Sequence, residues 1–207
     1  MKLVQHFIAL AIATLLFACG SSSENKTENN ENGSETAISY SISPQESSVN
    51  WLGEVAGVYG HDGSINIADG NVTVEGGQIT AGTVTIDMTS IEPANPDQYA
   101  DEDGKRASDL KAHLSTGDFF LVNEFPTATF TVKSHNGDKL VGDLTIRGNT
   151  NEETATITSM EATEQGMNAQ AKLVFDRQKY DVAWVHFMKD MILSDDIQLD
   201  ITLVGQP

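Results

Sequence analysis

Apolar and polar residues alternate with period two through most of this chain, the signature of strands that bury one face. Val49 and Trp51 share a face in residues 48–53. Ile65 and Ile67 are followed by Val72 and Val74, with Asp69-Gly70 read as a hairpin turn between them. A Gly76-Gly77 turn leads into a long strand from Gln78 to Met88, with Val84, Ile86 and Met88 opposite Thr83, Thr85 and Asp87. The alternation returns in Ala128, Phe130 and Val132, turns at Asn136-Gly137-Asp138, and continues through Leu140, Gly142, Leu144 and Ile146. Residues 153–163 form a further strand with a turn at Gln165-Gly166. Ala169, Ala171, Leu173 and Phe175 share the next face, and Ile197, Leu199, Ile201 and Leu203 the last.

The period breaks once. After Ile91, Pro93 and Pro96 mark a loop, and residues 105–116 are the one helix candidate of the domain, with Leu110 and Leu114 four apart and Gly117 to end it. Phe119-Phe120-Leu121-Val122 then makes a compact apolar knot before Pro126. Eight or more one-sided antiparallel strands in a meander must pack on another sheet or close on themselves, and the order predicts an all-β, up-and-down barrel with one short inserted helix. Such a barrel is filled by side chains or holds one small ligand. Gly142, Ala128, Ala169 and Ala171 are small inward positions; they leave a cavity or accommodate large neighbours, and pattern alone does not decide.

The N-terminus reads differently. Lys2 followed by the apolar run Phe7 to Ala18 is too short for a membrane span and has the layout of a secretory signal. It ends in Leu16-Phe17-Ala18-Cys19-Gly20, which matches the bacterial lipobox. Cys19 is the one cysteine of the chain, and acylation there, with palmitate as a suitable chain, gives it a purpose and excludes a disulfide framework. Residues 19–36 are the lipidated cysteine and a flexible acidic tether without aliphatic or aromatic residues beyond Ala18, leaving 37–207 as the folded domain. The expected location is the cell envelope, anchored to the membrane through Cys19. Gly20 after the cysteine favours the outer membrane, facing the periplasm.

Charge narrows the partners. Removing residues 1–18 takes away one lysine and no acid, leaving 30 acidic against 11 basic residues. A surface this acidic repels phosphate backbones and anionic headgroups, which excludes nucleic acid and makes the lipid, not a basic patch, the anchor.

Several blocks resemble the YceI-like family of bacterial lipid-binding envelope proteins. They are His113-Leu114-Ser115 with Asp118-Phe119-Phe120, then Phe125-Pro126-Thr127-Ala128-Thr129-Phe130, then Gly142 to Thr150 (GDLTIRGNT). Ser48-Val49-Asn50-Trp51, Thr85 to Ile91, and Asp176-Arg177 with Tyr180 complete the resemblance, which spans roughly residues 38–204. It implies a lipocalin-like barrel around a long pore that binds polyisoprenoid or other long-chain amphiphiles, without enzymatic activity and with no cofactor beyond the bound lipid. The family places Gly after the tyrosine of Arg-x-x-Tyr, where this chain has Asp181, and residues 183–196 look like a local variant near the mouth.

The expected cavity wall is Trp51, Ile86, Met88, Phe119, Phe120, Phe130, Leu144, Phe175 and Leu199. Arg147 and Arg177 are candidates for a headgroup; equally, each pairs with a strand carboxylate such as Asp143 or Asp176, and the ion pair is preferred. His61, His113, His135 and His186 show no zinc spacing, and His113 is read as structural, bonded to backbone or Asp118. Asp97, Asp101, Glu102 and Asp103 before Gly104 resemble a calcium loop, but Tyr99 stands where an oxygen ligand belongs, so no metal is expected. No nucleophile–base spacing supports catalysis. The leading expectation is an envelope lipoprotein that sequesters or transports an isoprenoid, quinone-like or fatty-acyl molecule. The rival is a non-catalytic structural or interaction module with a filled core, and a second copy of the chain is left open as a partner.

Overall fold

The computed structural model describes residues 36–55, 59–184 and 193–207. Among them are nine strands: β1 (Ile38–Ile42), β2 (Ser48–Val55), β3 (Tyr59–Glu75), β4 (Gln78–Pro93), β5 (Thr127–Asn136), β6 (Lys139–Ile146), β7 (Asn149–Thr163), β8 (Gly166–Asp176) and β9 (Leu193–Gln206). One helix, α1 (Ala107–Leu114), and two short 3-10 turns at Pro96–Gln98 and Arg177–Tyr180 interrupt them.

Every pairing is antiparallel, and β2 to β9 form a ring in which each strand bonds its chain neighbour and β9 returns to β2. β1 occupies the same slot as β2, because both lie between β3 and β9: β1 pairs with Asn71–Val74 and Gly205–Gln206, β2 with Tyr59–Ile65. The first stave of an eight-staved barrel is thus split in two. The ring closes within residues 38–206, so no sheet edge is left open there. The expected lipocalin-like, up-and-down barrel is the observed one.

The one-sided alternation explains why. In β3 the buried positions are Gly63, Ile65, Ile67, Gly70, Val72 and Val74. Asp69-Gly70, expected to be a hairpin turn, lies inside this single strand. Ala68 is an extra residue at a bulge, where the register slips between Ile67 and Asp69. The slip shifts the inward face from odd to even positions and lets a 17-residue strand bend around the barrel. A phase break next to Asp-Gly looks like a turn in sequence, yet here it is a corner. The true β3–β4 turn is Gly76-Gly77, whose φ values of 59° and 72° are those of a two-residue hairpin.

The helix is shorter than the expected 105–116. The Asp109 carboxylate accepts from the N–H groups of Gly104 and Arg106, closing the entry. The exit comes before Gly117: the Ser115 hydroxyl donates to the Lys111 carbonyl and the Thr116 hydroxyl to that of His113, both at 2.8 Å. These hydroxyls satisfy carbonyls that further helical turns would otherwise take up. The chain then winds through Phe119–Phe125 with Leu121 at φ 49°.

Candidate functional site

A cavity of about 760 Å³ occupies one end of the barrel. Its wall is built in layers that the strand register defines. Val55, Tyr59 and Leu193 are cross-strand partners at the rim; Gly53, His61, Ile197 and Phe175 lie one layer in; Trp51 and Leu199 come next. From the other side come Ile86, Met88, Ala128, Leu144 and Ile146. α1 and the following turns cover this end with Leu110, Leu114, Phe119 and Phe120. Eight of the nine expected wall residues therefore surround one cavity. Phe130 does not. It is inward-facing like Ala128, but its ring settles over Gly142, where a side chain would collide with it. Of the small inward residues, Ala128 borders the cavity, whereas Gly142 accommodates a large neighbour.

The polar groups of the rim are few and mutually engaged. His61 Nδ1 lies 3.1 Å from the Tyr99 hydroxyl, the two rings stack, and Tyr59 meets His61 edge-on. Burial lowers the His61 pKa, with Asp62 pulling the other way. Burial raises that of Tyr99, and Asp62 adds to the rise. Across the mouth, His113 Nε2 is 3.2 Å from the Asp118 carboxylate, and its ring sits edge-on to Phe119 and Trp184. The site is thus a largely apolar sleeve whose rim carries aromatic and imidazole rings, with Lys105, Arg106, Asp109 and Arg177 also on its lining. His61 and Tyr99, 38 residues apart, were not foreseen as a pair, because no periodicity links a strand to a distant loop.

Arg177 pairs with a strand carboxylate as expected, though it is Asp195 of β9 rather than Asp176, and Arg147 pairs with none. Arg177 is 3 % exposed. It donates to the carbonyls of Ser194, Val182, Trp184 and Leu193 and to the Asp195 carboxylate. All five guanidinium N–H bonds are thereby used. Burial lowers its pKa, while Asp195 and then Asp176 oppose that shift. Asp176 was the expected partner; instead its carboxylate accepts from the Gln178 N–H and starts the 3-10 turn. Arg147 likewise does not meet Asp143, which lies 3.3 Å from Lys133. Arg147 sits at φ 49° in the β6–β7 turn, and its Nη1 donates to the carbonyls of Phe119 and Asp181, each at 2.6 Å. The two arginines therefore stitch the mouth loops together through backbone carbonyls.

Tyr180 completes this plug. It is wholly buried, edge-on to Phe175, and donates to the buried Glu153 carboxylate at 3.1 Å. Burial and the nearby Glu153 charge hold its pKa well above the ordinary tyrosine value. The 3-10 turn fills the gap where β7 and β8 part, since their pairing begins only at Ala155–Leu173. Asp181 follows in the left-handed region, φ 58°, and so adopts the glycine conformation that the family pattern asks for. Its carboxylate accepts from Asn149 Nδ2 at 3.3 Å.

The acidic loop is engaged in ion pairs. Asp101 and Asp103 lie on Arg106 at 2.9 and 2.5 Å, and Glu102 on Lys105 at 2.6 Å. Among the described residues no group of three His, Cys, Asp or Glu could hold an ion, and no helix is long and apolar enough to cross a membrane. Cys19, His186, Phe187, Met188 and Met191 lie outside the described residues.

A closed eight-staved barrel around an apolar cavity with an aromatic rim defines a lipocalin-like binding architecture. The chain belongs to the YceI-like domain family, whose profile matches residues 40–205. Its fold is similar to that of BcnA from Burkholderia cenocepacia, at 18 % identity over 79 % of this chain and 98 % of that one, with a TM-score of 0.60. It is also similar to a polyisoprenoid binding domain from Saccharophagus degradans implicated in plant cell wall breakdown, at 12 % identity over 81 % and 97 %, with a TM-score of 0.56. A UPF0312 protein of Staphylococcus aureus (strain USA300) is 60 % identical over 42 residues, which is 20 % of this chain and 25 % of that protein. The chain thus matches about a quarter of the length of these curated relatives.

Proposed function

We propose that this protein is a non-catalytic envelope lipoprotein that holds a long-chain amphiphile, isoprenoid, quinone-like or fatty-acyl, in its barrel for sequestration or transport. The observation that carries the reading is the cavity of about 760 Å³ with a largely apolar wall. Such a wall gains about 25 cal/mol per Å² of apolar surface withdrawn from water and asks for little directional chemistry. The polar groups of Tyr59, His61 and Tyr99 at the rim suit a ligand whose polar head stays at the mouth. The binding named for the Saccharophagus domain supports the same ligand class. The open upper half argues against the rival reading of a filled interaction module. Cys19 acylation holds the protein on the membrane, with the outer membrane and its periplasmic face as the proposed site.

Native mass spectrometry of residues 20–207 purified from a bacterial envelope, followed by organic extraction, tests the binding. The expected result is one lipid per protein. Protein that is clean and also takes up no isoprenoid or fatty acid on titration would sink the proposal. Labelled palmitate on the full chain, lost in Cys19→Ser, tests the anchor separately.

A further inference from the structure

On β5 and β6 the cavity stops part-way along the inward face: Ala128, Leu144 and Ile146 border it, whereas Phe130, Val132 and Gly142 do not. Register identifies what bounds it there. Ala128 and Leu144, which line the cavity, flank Phe130: Ala128 is two residues before it on β5, and Leu144 is its cross-strand partner on β6. One step further, Gly142 stands opposite Val132, and the Phe130 ring lies in the space that a side chain on Gly142 would fill. The glycine is a seat, and the ring laid on it is the floor.

We propose that Phe130, seated on Gly142, is the specificity-determining residue that limits the length of the bound chain. The inference rests on the binding reading above and adds a size to it. At about 30 Å³ per water-sized group, a cavity of about 760 Å³ takes about 25 non-hydrogen atoms. A head at the rim leaves about twenty carbons for the chain, which is four isoprene units or a long acyl chain. Longer chains have to leave their tails at the mouth.

The test is a chain-length series of fatty and isoprenoid alcohols from about ten to about forty carbons, each competing with a fluorescent apolar probe on residues 20–207. In the wild type, affinity rises about fourfold per added methylene and stops rising near about twenty carbons. Phe130→Ala moves the break to longer chains by removing the ring that bounds the cavity there. Phe130→Leu, which keeps more of the packing, moves it less, and Ala128→Met raises the floor and shifts the break to shorter chains. Affinity that climbs through to the longest chains, or a break that none of these substitutions moves, overturns the floor. If no chain of any length displaces the probe from the wild type, the binding proposal itself falls, a result distinct from binding without a length limit.

Discussion

At one end of the barrel, β3 passes to β4 through Gly76-Gly77, β5 to β6 through Gly137-Asp138, and β7 to β8 through Glu164-Gln165, each a two-residue turn. At the other end, long connections separate β4 from β5 and β8 from β9, and these carry α1, the Phe119 turns and the Arg177 turn. The hairpin end is held by its own ladder and by residues such as Tyr40, Ile42, Val72 and Ile79, all buried. At the mouth, among the described residues, only the β6–β7 turn at Arg147-Gly148 is of this tight kind, and the long connections lie outside the ladder. The mouth is held by side chains that reach backbone carbonyls across the gap, and it leaves its interior open. The difference shows how a single meander can be stable and hollow at once: local turns secure one end, so the other can give up packing.

The sharpest way to break the comparison is Arg177→Ala. The substitution strands four carbonyls around a vacated buried site, while the exposed Asp195 carboxylate keeps Gln178. Buried acceptors left without their donors cost about 1–3 kcal/mol each, so the loss should be about 3–5 kcal/mol. At about 2–4 °C per kcal/mol for a chain of this size, melting should fall by roughly 10 °C. Arg177→Lys should recover little, because an ammonium cannot reproduce the five-donor fork. Thermal denaturation followed by circular dichroism checks both. Equal stability for the two variants and the wild type would mean that the mouth is held by other contacts.

At the boundary between the two regions, Gly142→Ala forces a methyl against the Phe130 ring and the Thr131 carbonyl. Overpacking of this kind costs about 1–3 kcal/mol. The ring should yield upwards, so probe binding in the cavity should weaken as stability falls. A loss of stability with unchanged probe uptake would show that the ring yields downwards and that the two regions are independent.

Tyr180 allows a finer test through pH. Its folded-state pKa is raised above the ordinary value of about 10. Its contribution is therefore fully present below about pH 10 and is lost as pH rises further, because the unfolded chain releases the proton that the folded one keeps. Denaturant unfolding between neutral and strongly alkaline pH should show stability falling above about pH 10 in the wild type and falling less steeply in Tyr180→Phe. At neutral pH the same variant leaves Glu153 without its hydroxyl donor, at a cost of about 1–2 kcal/mol, since Lys179 stands only at 3.5 Å.

The two ends also differ in how much of them could be read from residues alone. Alternation tells which face a strand residue takes, and that was enough for the barrel, its meander order and most of the sleeve around the cavity. It does not tell which layer a residue reaches. Phe130 and Leu144 share a face and a cross-strand pair, yet one floors the cavity and the other lines it, and the deciding contact is the empty space at Gly142. Asp69-Gly70 misled for a related reason: a bulge and a turn both break the phase, and only pairing with a continuous β4 tells them apart. At the mouth the bonds run between segments 5 to 34 residues apart and end on carbonyls, which every residue possesses. Charge patterning points to carboxylate partners, which Arg177 finds in Asp195 and Arg147 does not, and it misses the carbonyls because their directions are not visible in a sequence.

The smallest expected effect concerns Asp181, the left-handed residue after Tyr180. Asp181 has φ 58° and ψ 21°, a region that glycine enters freely and that costs a residue with a Cβ about 1 kcal/mol, less for Asp and Asn. Its carboxylate returns part of that through Asn149, and its carbonyl accepts from Arg147 whatever the side chain is. Asp181→Gly should therefore change stability by no more than about 0.5 kcal/mol, relief of strain offsetting the lost hydrogen bond and the added freedom of the unfolded chain. Asp181→Ala, which keeps the strain and loses the bond, should cost about 1 kcal/mol. Chemical denaturation resolves the order of the three. If alanine proves as stable as aspartate, the Asn149 contact contributes nothing, and the aspartate merely tolerates its αL conformation. If glycine is clearly less stable than aspartate, the carboxylate has become part of the stitching that keeps the mouth in place.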